Sequence, residues 1–379
     1  MKDAVTVGKS LTVSVKRAPE LSETDRAAWA ALRASNPLSY SPYFHLDYTE
    51  LLAGLRDDVF VACVYEKDQP IGFLPYQGER FARPVGAPMT DYQGFICAPN
   101  TDLNPVEILK AAGIGAYHFS SVVNPQMSPH FQNEDDGVMM ELKDGAQVWR
   151  EARDSSYRRH LKSNRRRIRK AAEDIGAPRF VWQSKDHAVF ETLITWKKQK
   201  FAETGKYDVL SADWTMELLI KLWQRGNDGL TCDMQALYFG DRLAAIDLGL
   251  SDGHTFHSWI VAYDGELHSY APGIQLLEGL IDSSKELGYK RIDLGVGTDG
   301  YKRHYASDAV SVGTGFIAAQ GPAATLSNLY GKAENFGQKA LNDAPGKIRR
   351  RYTQIAACED SVSGRAKAML SAVKSAGRS

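Results

Sequence analysis

Five of the titratable side chains between residues 247 and 302 are candidates for proton transfer or charge binding: Asp247, His257, Asp293, Tyr301 and Lys302. Asp247 lies within an otherwise apolar stretch, where a carboxylate is costly unless it is paired or used in chemistry. His257 and Asp293 belong to two later stretches with strand-like patterns, and they are candidate general bases. A packed strand histidine and a structural acid are equally open interpretations of these two residues.

A helix start follows directly on a possible turn at residues 270–273, Tyr-Ala-Pro-Gly. The first N–H groups of a helix have no intrahelical acceptor, and together with the helix dipole they favour a bound anion. The sequence therefore predicts a pyrophosphate cradle formed by the backbone of Gly273, Ile274 and Gln275. An ordinary helix start has the same pattern, so the motif alone does not establish a binding site.

The elements that must position these groups follow one another within residues 231–305. Three predicted strands, 232–239, 243–250 and 255–261, are joined by polar turns, as in a hairpin meander. An amphipathic helix over 273–287 and a strand over 291–295 complete the series. Helices that cover one face of a sheet have this kind of apolar spacing.

The rest of the chain also alternates helices and strands, so the fold class is predicted as α/β (α+β) with mixed, mostly antiparallel sheets. The length of 379 residues suits two domains and an appendage. We expect an N-terminal half at 1–150, a catalytic half at 151–321 and a basic helical tail at 322–379. A strongly basic helix over 157–175 opens the second half.

The net charge of zero conceals an uneven distribution. Residues 331–379 contain ten Lys and Arg against four acidic residues, so this tail carries +6 and the remainder −6. Such a segment could bind phosphates, an anionic membrane or nucleic acid, or it could form a solvated helix face. The four cysteines have no spacing typical of a metal site or disulfide framework, which predicts no metal and a cytoplasmic location.

The combined motifs of the second half resemble the GNAT superfamily, and within it the CelD/BcsL-like acetyltransferases of exopolysaccharide or holdfast assembly. The residues that carry the resemblance are Pro272-Gly273, Leu276, Leu277, Gly288, the stretch Arg291-Ile292-Asp293-Leu294-Gly295 and Tyr301-Lys302. The resemblance extends over residues 20–310 and implies tandem GNAT-like halves, as in FemABX transferases. The family has a small polar residue where this chain has Ala271, and its usual glycine loop is absent.

This resemblance implies an N-acetyltransferase with acetyl-CoA as co-substrate and an amino sugar or polysaccharide precursor as acceptor. Direct acyl transfer needs a base for the amine and stabilisation of the leaving thiolate. Asp293, His257 and Asp247 are then the candidate bases, and Tyr301 is the candidate proton donor to the thiolate. Lys302 is expected to hold a phosphate, with a plain surface lysine as the alternative.

Two other functions are compatible with the sequence. One is a FemABX-like aminoacyl transfer from charged tRNA, although nucleic acid is not the expected partner. The other is a non-catalytic module that regulates polysaccharide export, with the cluster Arg349-Arg350-Arg351 binding a cyclic dinucleotide. The same basic tail would suit an anionic surface at the inner membrane, which would make the protein peripheral there.

Overall fold

The computed structural model describes residues 5–7, 11–225, 229–298, 300–340, 344–359 and 363–369. Its helices are α1 (Glu23–Ser35), α2 (Leu46–Leu55), α3 (Pro105–Ala111), α4 (Ala146–Glu151), α5 (Ser155–Asp174), α6 (His187–Thr204), α7 (Asp213–Gln224), α8 (Pro272–Ser283), α9 (Lys302–Tyr305), α10 (Gly321–Ala340) and α11 (Ala344–Cys358). Its strands are β1 (Val5–Val7), β2 (Leu11–Lys16), β3 (Val59–Glu66), β4 (Gln69–Gln77), β5 (Phe81–Pro84), β6 (Ile96–Cys97), β7 (Ala116–Val122), β8 (Phe131–Glu141), β9 (Pro178–Val181), β10 (Thr231–Phe239), β11 (Arg242–Ser251), β12 (Thr255–Tyr263), β13 (Arg291–Val296) and β14 (Asp308–Ala318). The predicted α/β class with a helical C-terminal stretch is confirmed.

The chain forms two compact units that alternate along the sequence. Unit 1 consists of residues 1–135, 205–218 and 311–379, and unit 2 consists of residues 136–204 and 219–310. The contacts therefore divide the chain near residue 135 and assign the tail helices to unit 1, whereas the sequence predicted contiguous domains. The domain bounds 1–150, 151–321 and 322–379 stay a prediction.

In unit 1 the strand order is β1-β2-β3-β4-β5-β7-β14, and β6 pairs with β4. Its pairs run antiparallel except β5 with β7. The β3–β4 hairpin turns at Lys67 and Asp68, both in the left-handed region that such a tight turn requires. Apolar side chains of β2, β3, β4, β7 and α3 form the core.

In unit 2 the strand order is β8-β13-β12-β11-β10-β9. Its pairs run antiparallel except β12 with β13, so the sheet is mixed and mostly antiparallel, as predicted. Helix α8 connects the two parallel strands and covers the sheet with Leu276, Leu277, Leu280 and Ile281. The predicted meander and helix of residues 231–295 are all present, with ends that differ by a few residues.

Candidate active site

The site begins where β12 and β13 separate. The two parallel strands pair only through Thr255 with Arg291, Phe256 with Ile292 and His257 with Asp293. Beyond these pairs the strands diverge, and side chains from both strands line a cavity of about 290 Å³. Its lining residues are Asp247, Ser258, Val261, Tyr263, His268, Ala271, Pro272, Gly273, Ile274, Leu277, Leu294 and Tyr301.

A β-bulge between β11 and β12 shapes the wall of this cavity. Gly249 pairs with Ser258 and Leu248 pairs with Ile260, so Trp259 is an extra residue in β12. Gly249 is needed at this point because a Cβ atom there would lie 2.2 Å from the ring of Phe256. The bulge places Val261 opposite Asp247, and Ser258, the partner of Gly249, lies beside Asp247 on the same face.

Asp247 is the principal titratable group of the cavity. Its side chain is buried, and Oδ2 accepts a hydrogen bond of 2.7 Å from the Ser258 hydroxyl. Oδ1 has no hydrogen-bond partner among the described residues. Burial raises the pKa of Asp247 to about 6, against the opposing effects of the Ser258 hydrogen bond and of the nearby His257 and Lys197. The cavity thus contains a carboxyl group whose pKa is close to neutrality and whose Oδ1 atom can accept a further hydrogen bond.

Tyr301 completes the polar lining of the cavity. Burial, followed by the negative charge of Asp247, raises the pKa of Tyr301 to about 12, so the phenol stays protonated at neutral pH. Its ring packs edge-on against Tyr305, with 6.1 Å between the ring centroids. Tyr305 is fully buried, and its hydroxyl donates a 2.7 Å hydrogen bond to Glu278 of α8. Helix α9 is therefore anchored to α8, and this anchor positions Tyr301.

The predicted cradle is present only in part. Ala271 adopts a left-handed conformation (φ 51°, ψ 56°), and its carbonyl accepts the N–H groups of both Ile274 and Gln275. Of the three predicted N–H groups, that of Gly273 alone has no backbone acceptor among the described residues. The Gln275 side chain is also occupied, because Nε2 donates to the carbonyls of Asn164 and Tyr270. Gly273 and Ile274 line the cavity, whereas Gln275 links α8 to α5.

Three predicted residues lie outside the cavity lining. His257 and Asp293 are fully buried neighbours, with 3.5 Å between His257 Nδ1 and Asp293 Oδ2. Asp293 Oδ1 also accepts the N–H of Gly295 at 2.7 Å, which fixes the end of β13. Lys302 donates through Nζ to the carbonyl of Val296 at 3.1 Å. These contacts give the three residues structural roles beside the cavity.

The sequence predictions missed Ser258, the hydrogen-bond donor to Asp247. It follows His257 directly, but alternation along a strand directs its side chain to the other face. The structure pairs Asp247 with Val261, whereas Ser258 pairs with Gly249 on the same face of the sheet. This register depends on the bulge at Trp259, which has no sequence signature of its own.

A second cavity, of about 630 Å³, lies in unit 1 and has a different character. Its walls are mostly apolar, with Phe81, Leu326, Tyr330, Ile348 and Tyr352 among them. None of the predicted site residues belongs to it. Among the described residues, no group of three or more His, Cys, Asp or Glu side chains is placed to hold a metal ion.

Residues 155–303 match the protein family described as "Acetyltransferase (GNAT) domain". No curated protein sequence matches the chain significantly. Over the described part of the chain, no helix has both the length and the apolar character needed to cross a membrane.

Several solved structures are distantly similar. A tandem GNAT protein from the clavulanic acid biosynthesis pathway is 9% identical, with 82% of this chain and 99% of that chain covered at a TM-score of 0.45. FemX is 10% identical, with 78% and 96% covered at a TM-score of 0.49. A GCN5-related N-acetyltransferase from Kribbella flavida is 10% identical, with 85% and 75% covered at a TM-score of 0.36.

The family match contains the strand pair, the helix and the tyrosine that form the cavity of unit 2. Residues 155–303 match a GNAT acetyltransferase domain, and the chain is an acyltransferase.

Proposed function

We propose that this acyltransferase moves an acetyl group from acetyl-CoA to the amine of an amino sugar or sugar-containing intermediate in bacterial surface-polysaccharide biosynthesis. The observation that carries the proposal is the buried Asp247 carboxylate, whose Oδ1 has no partner among the described residues of a cavity that also contains Tyr301. The sugar acceptor is supported by the sequence resemblance to CelD/BcsL-like acetyltransferases.

The cavity fits the acyl end of the donor. Acetyl-CoA supplies a thioester whose carbonyl carbon is open to attack by an amine. Val261, Leu277 and Leu294 provide apolar walls suited to the acyl group and the adjoining chain. At the start of α8, the Gly273 N–H remains for a phosphate oxygen, and the positive end of the helix dipole favours that anion.

Asp247 is the base in this proposal. An amine must lose a proton as it bonds to the carbonyl carbon, and a carboxylate with a pKa of about 6 is mostly ionised at neutral pH. The Ser258 hydroxyl holds Oδ2, which leaves Oδ1 to accept the proton. Matching the pKa of a base to the working pH is a general requirement for efficient proton transfer.

Tyr301 acts as a hydrogen-bond donor in this proposal, which refines its expected role as a proton donor. A thiol has an ordinary pKa of about 8.5, well below the value of about 12 for Tyr301. Full transfer of the phenol proton to a thiolate is therefore unfavourable. A phenol that stays protonated can instead stabilise the negative charge that develops on sulphur.

The proposed setting is the cytoplasm. Cys63, Cys97, Cys232 and Cys358 are all free thiols, which is usual in a reducing compartment. Binding of a cyclic dinucleotide or an anionic membrane by the basic tail stays a prediction. Within the tail, Arg351 donates to the carbonyl of Gly205 at 2.7 Å, and the side chains of Arg349 and Arg350 lie outside the described residues.

Radiolabelled acetyl-CoA and the full chain test the proposal. The acceptors are glucosamine, UDP-glucosamine and a glucosamine oligosaccharide, and a parallel reaction replaces acetyl-CoA with aminoacyl-tRNA. We expect label in at least one amino sugar, incorporated about a hundredfold or more slowly by the Asp247→Asn variant. Transfer from aminoacyl-tRNA alone would support the FemABX-like alternative, and absence of label from all three sugars would overturn the acceptor class.

A further inference from the structure

A separate cavity of about 330 Å³ lies on another face of α8, between this helix, α5 and β9. Gln275, Glu278, Gly279 and Asp282 of α8 line it, whereas Gly273, Ile274 and Leu277 line the acyl-transfer cavity. At 3.6 residues per turn, these two sets project from different sides of the helix. The volume is within the range of small-molecule sites.

Asn164 of α5 is the unusual residue of this cavity. Its side chain is 1% exposed, yet neither Nδ2 nor Oδ1 has a hydrogen-bond partner among the described residues. Its backbone is held in place, because the carbonyl accepts a 3.0 Å hydrogen bond from Gln275 Nε2. Buried amides are normally paired, so an unpaired donor and acceptor that line a cavity indicate a ligand with a complementary edge.

Two aromatic rings form the wall of the cavity on the side of β9. Phe180 and Trp182 are stacked, with 5.3 Å between their centroids and an angle of 14° between their planes. Gly279 makes room for this wall, since a Cβ atom there would lie 2.4 Å from the Phe180 ring. Aromatic surfaces of this kind bind planar rings by stacking.

The lining contains two cations, Arg150 and Arg165, and two carboxylates, Glu278 and Asp282. Both carboxylates of the lining, Glu278 and Asp282, form ion pairs with Arg150. Arg165 is an additional cation of the lining and is exposed. Guanidinium groups bind phosphate oxygens with charge-assisted hydrogen bonds.

We propose that this cavity binds a nucleotide. Nδ2 and Oδ1 of Asn164 pair with the adjacent acceptor and donor of a nucleobase edge, the base lies against Phe180 and Trp182, and Arg165 binds the phosphate. The nucleotide could belong to coenzyme A or to a sugar nucleotide, because both present the same groups. This binding does not depend on the proposed acetyl transfer.

Isothermal titration of the full chain with ADP, UDP and coenzyme A tests the inference. The main variant is Asn164→Leu, which keeps the side-chain size but removes the amide, and its melting temperature shows that it is folded. We expect at least one probe to bind at millimolar concentration or below, and the variant to weaken that binding about tenfold. If Asn164→Leu weakens the binding of coenzyme A, the bound nucleotide is that of the acyl donor. If it weakens the binding of UDP alone, the bound nucleotide is that of a sugar nucleotide.

Arg165→Ala provides a second variant at an exposed position, and Arg166→Ala is its matched control, because Arg166 does not line the cavity. Arg165→Ala is expected to weaken binding of the nucleotide more than binding of the corresponding nucleoside, and Arg166→Ala to leave the two in their original ratio. The proposal is overturned if no probe binds, or if Asn164→Leu binds every probe as tightly as the unmodified chain. If the chain still transfers acetyl groups in either of these two cases, only the nucleotide site is refuted and the proposed function stands.

Discussion

Ser258 donates its hydroxyl hydrogen to Asp247 Oδ2 across the bulged β11–β12 pair, at 2.7 Å. This contact uses one carboxylate oxygen, whereas Oδ1 has no hydrogen-bond partner among the described residues. The contact is diagonal, because the register partner of Ser258 is Gly249 and that of Asp247 is Val261.

Replacing Asp247 with Asn should lower kcat/KM by about a hundredfold or more, which is the usual contribution of a general base. The amide can still accept the Ser258 hydrogen bond, but it cannot take a proton from the amine. Asp241→Asn, in the exposed turn between β10 and β11, is the matched control and should retain full activity. Equal rates for the two variants would exclude Asp247 as the base.

The rate of acetyl transfer should rise with pH through the pKa of Asp247, near pH 6 in the free enzyme. Below this pH the carboxyl is protonated and cannot act as a base, and above it the carboxylate predominates. The measurement is kcat/KM from pH 5 to 8 with an aryl amine acceptor whose electron-withdrawing substituent keeps the amine uncharged over this interval. A flat profile over this interval would contradict the assignment.

The same carboxylate should destabilise the folded chain at neutral pH. The pKa of Asp247 is higher in the folded state than in the unfolded state, so the folded state binds more protons between these two values. Its contribution to stability is therefore greatest below the unfolded value and is lost as the pH rises through about 6. Asp247→Asn should raise the free energy of unfolding at pH 7, by on the order of 1 to 3 kcal/mol.

Chemical denaturation at pH 5 and pH 7 checks this effect. The gain from Asp247→Asn should be larger at pH 7 than at pH 5, because the carboxyl is already largely neutral at the lower pH. If Asp247→Asn changes the free energy of unfolding by the same amount at pH 5 and at pH 7, burial does not raise the pKa of Asp247.

Gly273→Ala should weaken the binding of acetyl-CoA without reducing stability. A Cβ atom at this position meets only the Tyr263 ring, at an ordinary 3.8 Å, and alanine is the better helix former. The added methyl group would nevertheless occupy space beside the N–H proposed to bind a phosphate. KM for acetyl-CoA is expected to rise several-fold, with Gly265→Ala as the control because open space surrounds that glycine. An unchanged KM would place the phosphates elsewhere.

Two tyrosines of the α9 region should respond differently to loss of their hydroxyl groups. Tyr301→Phe removes a donor from the cavity and should lower kcat about tenfold with little change in melting temperature. Tyr305→Phe removes the hydrogen bond to buried Glu278, so it should cost about 1 to 3 kcal/mol of stability. Thermal unfolding and steady-state rates measured on both variants separate these effects. A loss of stability in Tyr301→Phe together with a loss of kcat alone in Tyr305→Phe would contradict both assignments.

The strands and the helix of residues 231–295 could be predicted because each has a clear apolar period and polar turns between them. Strands β1, β2, β5, β6, β9 and β14 and helices α3, α4 and α9 escaped prediction. β9 has only four residues, and β14 contains two glycines against which Phe131 and the backbone of His130 pack closely. Short segments and glycine-rich strands have too little side-chain pattern to be recognised.

At the site, sequence reasoning identified the segment more reliably than the individual roles. It singled out Asp247, Tyr301, Gly273 and Ile274, which line the cavity, but it ranked Lys302 first and Asp247 last among the candidate side chains. The adjacency of His257 and Asp293 depends on the parallel register of β12 and β13, which no local pattern specifies. Whether a polar side chain faces a cavity or a carbonyl group is decided by such tertiary pairings.

The hydrogen bond between Gln275 and the Asn164 carbonyl ties the first turn of α8 to the middle of α5. That turn also contains Gly273 and Ile274, so a shift of α5 would be transmitted directly to the wall of the acyl-transfer cavity. The basic helix and the wall of this cavity are therefore joined by a direct hydrogen bond. A ligand held on α5 would act on the first turn of α8 through that single contact.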